Sequence, residues 1–211
     1  MLFQIVKRTL MPLSLLLVKD IKGLENIPKK GAFIVAANHV SYLDPVIIPS
    51  IIFKFFKMKV HYLAKKELLG GWTGSIFLAA CGNTLIPLDR EKGGKIALKN
   101  ALNALKDREI IGIFPKGTRS LTGKLQKGKT GVARLALAAK VPVVPVGIIG
   151  TFDLMPKGKL FPKFRKKVKV SFGKPIYFDK YYGRQNKSIF KKVTTIVMEK
   201  IADLSNQEYN Q

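Results

Sequence analysis

Ala32-Phe33-Ile34-Val35-Ala36-Ala37-Asn38-His39-Val40-Ser41-Tyr42-Leu43-Asp44 is the stretch from which the fold can be read. Its apolar first half, Ala32 to Ala37, has the pattern of a strand buried on both faces of an α/β sheet. The run ends abruptly at Asn38-His39, which puts an imidazole at the carboxyl end of a strand, where open α/β sheets place their ligands. If the chain turns back through Val40 to Leu43, the Asp44 carboxylate reaches one ring nitrogen of His39. That contact fixes the tautomer and leaves the other nitrogen to take a proton. A second reading uses the same residues: Asp44-Pro45 before Val46-Ile47-Ile48 is an ordinary helix start, with Asp44 as N-cap and Pro45 at the first helical position. His39 is then a core histidine, and the spacing alone leaves both readings open.

Outward from this stretch, strands and helices alternate. An apolar helix, Val46 to Phe56, is interrupted by Pro49. A strand, Val60 to Ala64, opens onto Lys65-Lys66-Glu67, and Trp72 to Ala80 is apolar on nearly all sides. Gly82 to Arg90 holds a turn, a short strand and a charged end, followed by an amphipathic helix, Lys92 to Lys106. The strand Ile110 to Phe114 runs into Pro115-Lys116-Gly117-Thr118-Arg119-Ser120, and a basic, glycine-spaced loop leads to a helix over Lys129 to Lys140. Val141 to Ile149 is a buried strand bracketed by prolines, Val168 to Phe172 another strand, and Ser188 to Leu204 a closing helix. Asp20 to Gly31 reads as an edge strand and turn. The alternation predicts an α/β fold, a single mostly parallel sheet flanked by helices, in one catalytic domain over 19–205 with a polar tail at 206–211.

Residues 1–18 combine a basic patch with the apolar stretch Leu10 to Val18, about half of the roughly 20 residues a spanning helix needs. Either an interfacial membrane helix or a helix packed on the domain satisfies this pattern. The chain has 211 residues, and its 38 Lys and Arg against 13 Asp and Glu leave a formal charge of +25. Such a molecule is drawn to anionic surfaces: lipid headgroups, acidic carrier proteins, phosphorylated small molecules or nucleic acid. The segment Lys157 to Lys192, in which Asp179 is the only acid, fits a face that docks on anionic lipid or an acidic carrier protein. It lacks the density of stacking aromatics that a nucleic-acid groove uses, so no nucleic acid is expected as partner. One cysteine, Cys81, excludes disulfides, and two histidines, His39 and His61, argue against a metal site.

Three loops at strand ends line up as one site: His39 with Asp44, Asp89-Arg90, and Gly117-Thr118-Arg119, with Lys65 at the end of a fourth strand. An imidazole base among fixed cations suits proton removal from a substrate that carries phosphate, because Arg grips phosphate oxygens bidentately and stays charged.

Asn38-His39-x4-Asp44, Gly82 to Arg90, Phe114-Pro-x-Gly-Thr-Arg-Ser120 and Val141-Pro-Val-Val-Pro145 resemble the four ordered motifs of the glycerolipid acyltransferase family, in its bacterial 1-acylglycerol-3-phosphate branch. The resemblance covers residues 20–175. It implies that His39 is the general base on the acceptor hydroxyl, that Asp44 orients it, and that no acyl-enzyme forms. It further implies that Arg90 and Arg119, assisted by Lys65, hold the acceptor phosphate, and that Asn38, Lys116, Gly117, Thr118 and Pro142 complete the motifs. Pro142 and Pro145 are expected to be structural or acyl-facing, and backbone N–H groups near Gly117 and Thr118 to serve the oxyanion.

By the same resemblance no cofactor is needed, acyl-CoA or acyl-ACP being a co-substrate. The expected partners are lysophosphatidic acid and anionic membrane lipid, for a monomer on the cytoplasmic face of the cell membrane. In one position the chain departs from the family: Lys116 stands where the third motif usually has Glu, which reverses the charge beside Arg119. Acylation of glycerol 3-phosphate or another lysophospholipid, and a non-catalytic basic binding protein, are the alternatives.

Overall fold

Apolar runs at the centre of the chain's sheet are buried on both faces, and those toward one side on a single face. In the computed structural model, which describes residues 9–65, 85–88, 94–156, 158–159, 163–165, 167–184 and 186–209, they become the strands of one sheet. These are β1 (Val18–Lys22), β2 (Ile34–Ala37), β3 (Val60–Lys65), β4 (Leu85–Leu88), β5 (Ile110–Ile113), β6 (Val143–Ile149) and β7 (Val168–Phe172). Their order is β1-β7-β6-β2-β5-β3-β4, and every neighbouring pair is parallel except β6 with β7. The α/β, mostly parallel architecture expected from the alternation is present. The described helices are α1 (Leu10–Leu16), α2 (Asp44–Phe56), α3 (Lys95–Lys106), α4 (Gly131–Ala139), the single-turn α5 (Thr151–Leu154) and α6 (Lys187–Ser205).

Alternate residues of the central strands supply two separate cores, as a period of two requires. Phe33, Val35 and Ala37 pack with Val144, Val146 and Ile148 beneath Ile47, Ile48, Ile51 and Ile52 of α2. Ile34, Ala36, Ile111 and Val143 face the other way, under Ala101 and Leu105 of α3, Val132 and Leu135 of α4, and Val193, Val197 and Ile201 of α6. At about 1.5–3 kcal/mol for each fully buried large aliphatic side chain, these two layers supply the main stabilisation.

Two prolines sit inside regular elements, Pro49 where the sequence predicts an interruption and Pro145 within the predicted strand. Pro49 lies inside α2 without ending it. The helix is buried from Asp44 to Ile52, so its packing outweighs the local proline cost. Pro145 occupies the middle of β6, paired with Ala36 of β2. Its carbonyl accepts from Gly173 N at 2.8 Å, just beyond the end of β7. Having no N–H, Pro145 gives no bond in return, and the pairing resumes at Val143, which exchanges bonds with Ile176 at 3.0 and 2.8 Å.

The amino-terminal helix is seven residues long and packs on α2: Ser14 Oγ lies 3.3 Å from Ser50 Oγ and donates to Met11 O at 2.7 Å. Leu13 and Leu16 remain exposed. Among the described residues no helix is long and apolar enough to cross a membrane. The readings on residues 1–8, Lys66, Trp72 to Ala80, Cys81 and Asp89-Arg90 lie outside the described residues.

Candidate active site

Parallel strands deliver their carboxyl ends to one edge, and His39 is placed there two residues beyond β2. Asn38 makes this placement rigid. Its Nδ2 donates to Ile148 O and its Oδ1 accepts from Ile148 N, both at 2.8 Å, so the side chain acts as one more rung between β2 and β6. Asn38 is thereby spent on backbone and is buried.

The chain then folds tightly over Asp44. Asp44 Oδ2 accepts from Val40 N at 2.7 Å, from Ser41 N at 2.8 Å and from His39 Nδ1 at 2.8 Å, while Oδ1 accepts from Thr151 Oγ1 at 2.7 Å. Four donors thus surround a fully buried carboxylate and replace the water it has lost. The N-cap reading is overturned by this geometry: Asp44 lies inside α2, and its oxygens reach back to the preceding turn instead of forward to the helix. Since a carboxylate only accepts, Nδ1 carries the hydrogen and Nε2 presents its lone pair. No described residue lies within hydrogen-bond distance of Nε2. The imidazole stacks on Phe114, centroids 4.0 Å apart and planes 16° from parallel, which holds the ring at a fixed attitude with its side chain 16% exposed.

Phe114 directly follows β5 and starts the second loop. Gly117 N donates to Phe114 O at 2.8 Å, closing a turn that needs the positive φ of 77° at Gly117. This bond uses the N–H that the sequence analysis offered to an oxyanion, so Gly117 has none to give; Thr118 is half-buried in the same turn. Ser120 N donates to His39 O at 2.8 Å and ties the two loops together. Between them the Arg119 guanidinium lies flat on Tyr42, Cζ 3.3 Å from the ring centroid. Arg119 Nη1 is buried with no hydrogen-bond partner among the described residues. Lys116 Nζ donates to Arg119 O at 3.4 Å, so the lysine that replaces the family's usual Glu lies against the backbone of the same loop.

A hollow beside His39 is lined by Asn38, Phe114, Lys116, Ser120, Leu125 and Met198. Across the Phe114 wall a cleft of about 500 Å³ opens between the ends of β3 and β5 and helices α3 and α4, lined by Leu63, Leu98, Ile113, Lys129 and Arg134 among others. Among the described residues no group of three His, Cys, Asp or Glu side chains gathers to hold a metal.

Not every residue singled out in the sequence reaches this edge. Lys65 ends β3 there, two strands from β2, but its side chain, like the whole of Arg90, lies outside the described residues. Pro142 stands at the opposite edge, its carbonyl accepting from Ile34 N at 3.0 Å ahead of β6. Five strand residues at about 3.3 Å each separate it from Ile148, so Pro142 lies ahead of β6, at the end away from Asn38 and His39. Tyr42 and Thr151 join the site without a sequence signal, an aromatic between two motif residues and a threonine far along the chain reading as ordinary packing, while the sequence marks Phe114 only as the start of the third motif.

The acyltransferase family, by its sequence model, matches residues 19–149, the span from β1 to the end of β6 that carries His39, Asp44 and the Phe114 to Ser120 loop. The chain belongs to the acyltransferase family. Within it, the chain is 29% identical over 185 residues to the 1-acyl-sn-glycerol-3-phosphate acyltransferase of Bacillus subtilis, covering 87% of this chain and 86% of that protein. It is 32% identical over 162 residues to a probable 1-acyl-sn-glycerol-3-phosphate acyltransferase of Mycoplasma pneumoniae, covering 72% of this chain and 59% of the relative. The crystal structure of the 1-acyl-sn-glycerophosphate (LPA) acyltransferase PlsC from Thermotoga maritima superposes with a TM-score of 0.73 at 27% identity, over 99% of this chain and 81% of that one. The acyltransferase fold thus accounts for the sheet order and for the strand-end loops that carry His39 and Arg119.

Proposed function

We propose that this acyltransferase moves a fatty acyl group from an acyl thioester, acyl-CoA or acyl-ACP, to the sn-2 hydroxyl of 1-acyl-sn-glycerol 3-phosphate, making phosphatidic acid for phospholipid synthesis. The observation that carries the proposal is the His39–Asp44 pair at 2.8 Å, with Nε2 directed away from Asp44, on a loop tied through Ser120 N to the loop of Arg119, whose Nη1 has no described partner. The names of the relatives support the acceptor.

In the proposed reaction Nε2 of His39 takes the proton of the acceptor hydroxyl as its oxygen attacks the thioester carbonyl carbon. Asp44 keeps the hydrogen on Nδ1 and balances the imidazolium that forms. The tetrahedral intermediate collapses, the C–S bond breaks, and the departing sulfur takes the proton from Nε2, leaving as the free thiol and returning His39 to its neutral form. Acyl transfer is direct, so no covalent acyl-enzyme and no cofactor enter. Arg119, with Lys65 and Arg90, holds the acceptor phosphate. The cleft beyond Phe114, apolar at Leu63, Leu98 and Ile113 and cationic at Lys129 and Arg134, suits an acyl chain on an anionic carrier.

Membrane contact belongs to the same proposal. Leu13 and Leu16 of α1 and Phe55 of α2 are exposed, and a groove of about 450 Å³ between these helices is edged by Lys54 and Lys57. Exposed apolar side chains beside lysines suit the headgroup region of an anionic bilayer, as a peripheral enzyme on the cytoplasmic face requires.

The test offers purified protein lysophosphatidic acid or glycerol 3-phosphate with acyl-CoA or acyl-ACP in anionic mixed micelles, beside His39→Ala. Phosphatidic acid formed at a rate that falls about a thousand-fold in H39A is the expected result. Near-normal turnover in H39A overturns the mechanism, and product from glycerol 3-phosphate alone overturns the acceptor.

A further inference from the structure

We infer that Tyr42 is a positioning residue for the acceptor phosphate, acting through Arg119; this rests on the proposed role of Arg119. The guanidinium lies face to face with the Tyr42 ring at 3.3 Å, and no carboxylate among the described residues pairs with it. The choice of partner has a chemical consequence. A carboxylate would occupy the N–H fork that phosphate needs, whereas an aromatic ring attracts the cation through its face and leaves the in-plane N–H edge unspent. Arg119 Nη1 is such an edge: buried, and without an acceptor in the described structure. A phosphate oxygen supplies what it lacks.

Tyr42 also sets a distance. It lies in the turn between His39 and Asp44, so the ring that orients Arg119 is carried by the loop that carries the base. The hydroxyl and phosphate of the acceptor are held apart by a short glycerol backbone. The Tyr42–Arg119 stack and the Ser120 N to His39 O bond join the loop of the base to the loop of the phosphate grip at two points, which holds their separation constant. The ring performs this work and the phenolic hydroxyl does not.

Steady-state kinetics of Tyr42→Phe, Tyr42→Leu, Arg119→Ala and the Y42L/R119A double variant test the inference, with lysophosphatidic acid and acyl-CoA varied in turn. Y42F stays within about two-fold of wild type, while Y42L raises the KM for lysophosphatidic acid about ten-fold and leaves kcat and the KM for acyl-CoA within about two-fold. The double variant is no worse than R119A. A trifluorinated phenylalanine at position 42 keeps the ring's shape, weakens its face charge and raises the same KM, which serves if Y42L does not fold. An acceptor KM unmoved in Y42L or by fluorination, with R119A impaired, overturns the role of Tyr42 and leaves that of Arg119 standing. A normal acceptor KM in R119A overturns both. Equal losses in kcat and both KM values in Y42L mark Tyr42 as packing only and also overturn the inference.

Discussion

Thr151 donates its hydroxyl to Asp44 Oδ1 at 2.7 Å, joining residues 107 positions apart in the chain and closing the last open side of the buried carboxylate. The bond is made by the first residue of α5, directly after β6, so the strand beside β2 also braces the orienting group of the proposed base. Thr151→Val keeps the shape and removes the donor. It is expected to lower kcat by about ten-fold and stability by about 1–3 kcal/mol, because a buried oxygen loses a partner. Thr151→Ser is expected to retain both, as read by kinetics and thermal unfolding; a T151V enzyme with unchanged kcat would remove Thr151 from the site.

Asp44→Asn sets an amide against four converging donors, of which its single oxygen can satisfy only part. Both turnover and stability fall, turnover by about 10²-fold or more, since the neutral partner neither balances an imidazolium nor holds Nδ1–H in place. Paired melting curves and initial rates read the two effects separately.

Gly147 sits in β6 where a Cβ would come within 2.3 Å of the Leu204 backbone in α6. Backbone cannot swing aside as a side chain does, so Gly147→Ala forces the closing helix off the sheet. A loss of about 1–3 kcal/mol or more, or failure to fold, is expected from denaturant unfolding. Gly31→Ala, where nothing lies within 4 Å of the added methyl but φ is 87°, costs only about 1 kcal/mol of backbone strain.

Gln207 Oε1 accepts from Leu125 N, and the Tyr209 hydroxyl lies 3.3 Å from Gly128 N, so the tail straps the loop that follows Arg119. Truncation after Asn206 is expected to raise amide exchange over residues 121–128 while the core strands keep their protection. Exchange unchanged in that loop would show that the strap carries no load.

Leu16→Asp places a charge at an apolar position exposed to 67% on α1. Co-sedimentation with anionic vesicles should weaken, with melting temperature unchanged because the site is on the surface. Equal binding by L16D would assign membrane contact to another face.

The two-sided apolar runs of β2, β5 and β6 made the parallel sheet legible without coordinates, since only strands covered by helices on both faces carry such runs. The spacing of His39 and Asp44 marked the site for a related reason: a strand end, a short turn and a helix start are local events, encoded within a few residues. Local pattern could not say how Asp44 is used. N-cap and orienter make the same demand on sequence, and only the closure of β2 beside β6, with Asn38 bonded to Ile148 and Thr151 to Asp44, turns the carboxylate toward His39. Pro49 is the opposite case, a local breaker retained because the burial of α2 outweighs the usual cost. Pro142 and Arg119, both motif residues, separate in the same way: one starts a strand and the other reaches the site, according to which edge of the sheet each loop occupies. Sequence by itself determined the elements and the residue types available for chemistry. Tertiary structure decided which of them meet, because contacts between residues about a hundred positions apart leave no periodicity to read.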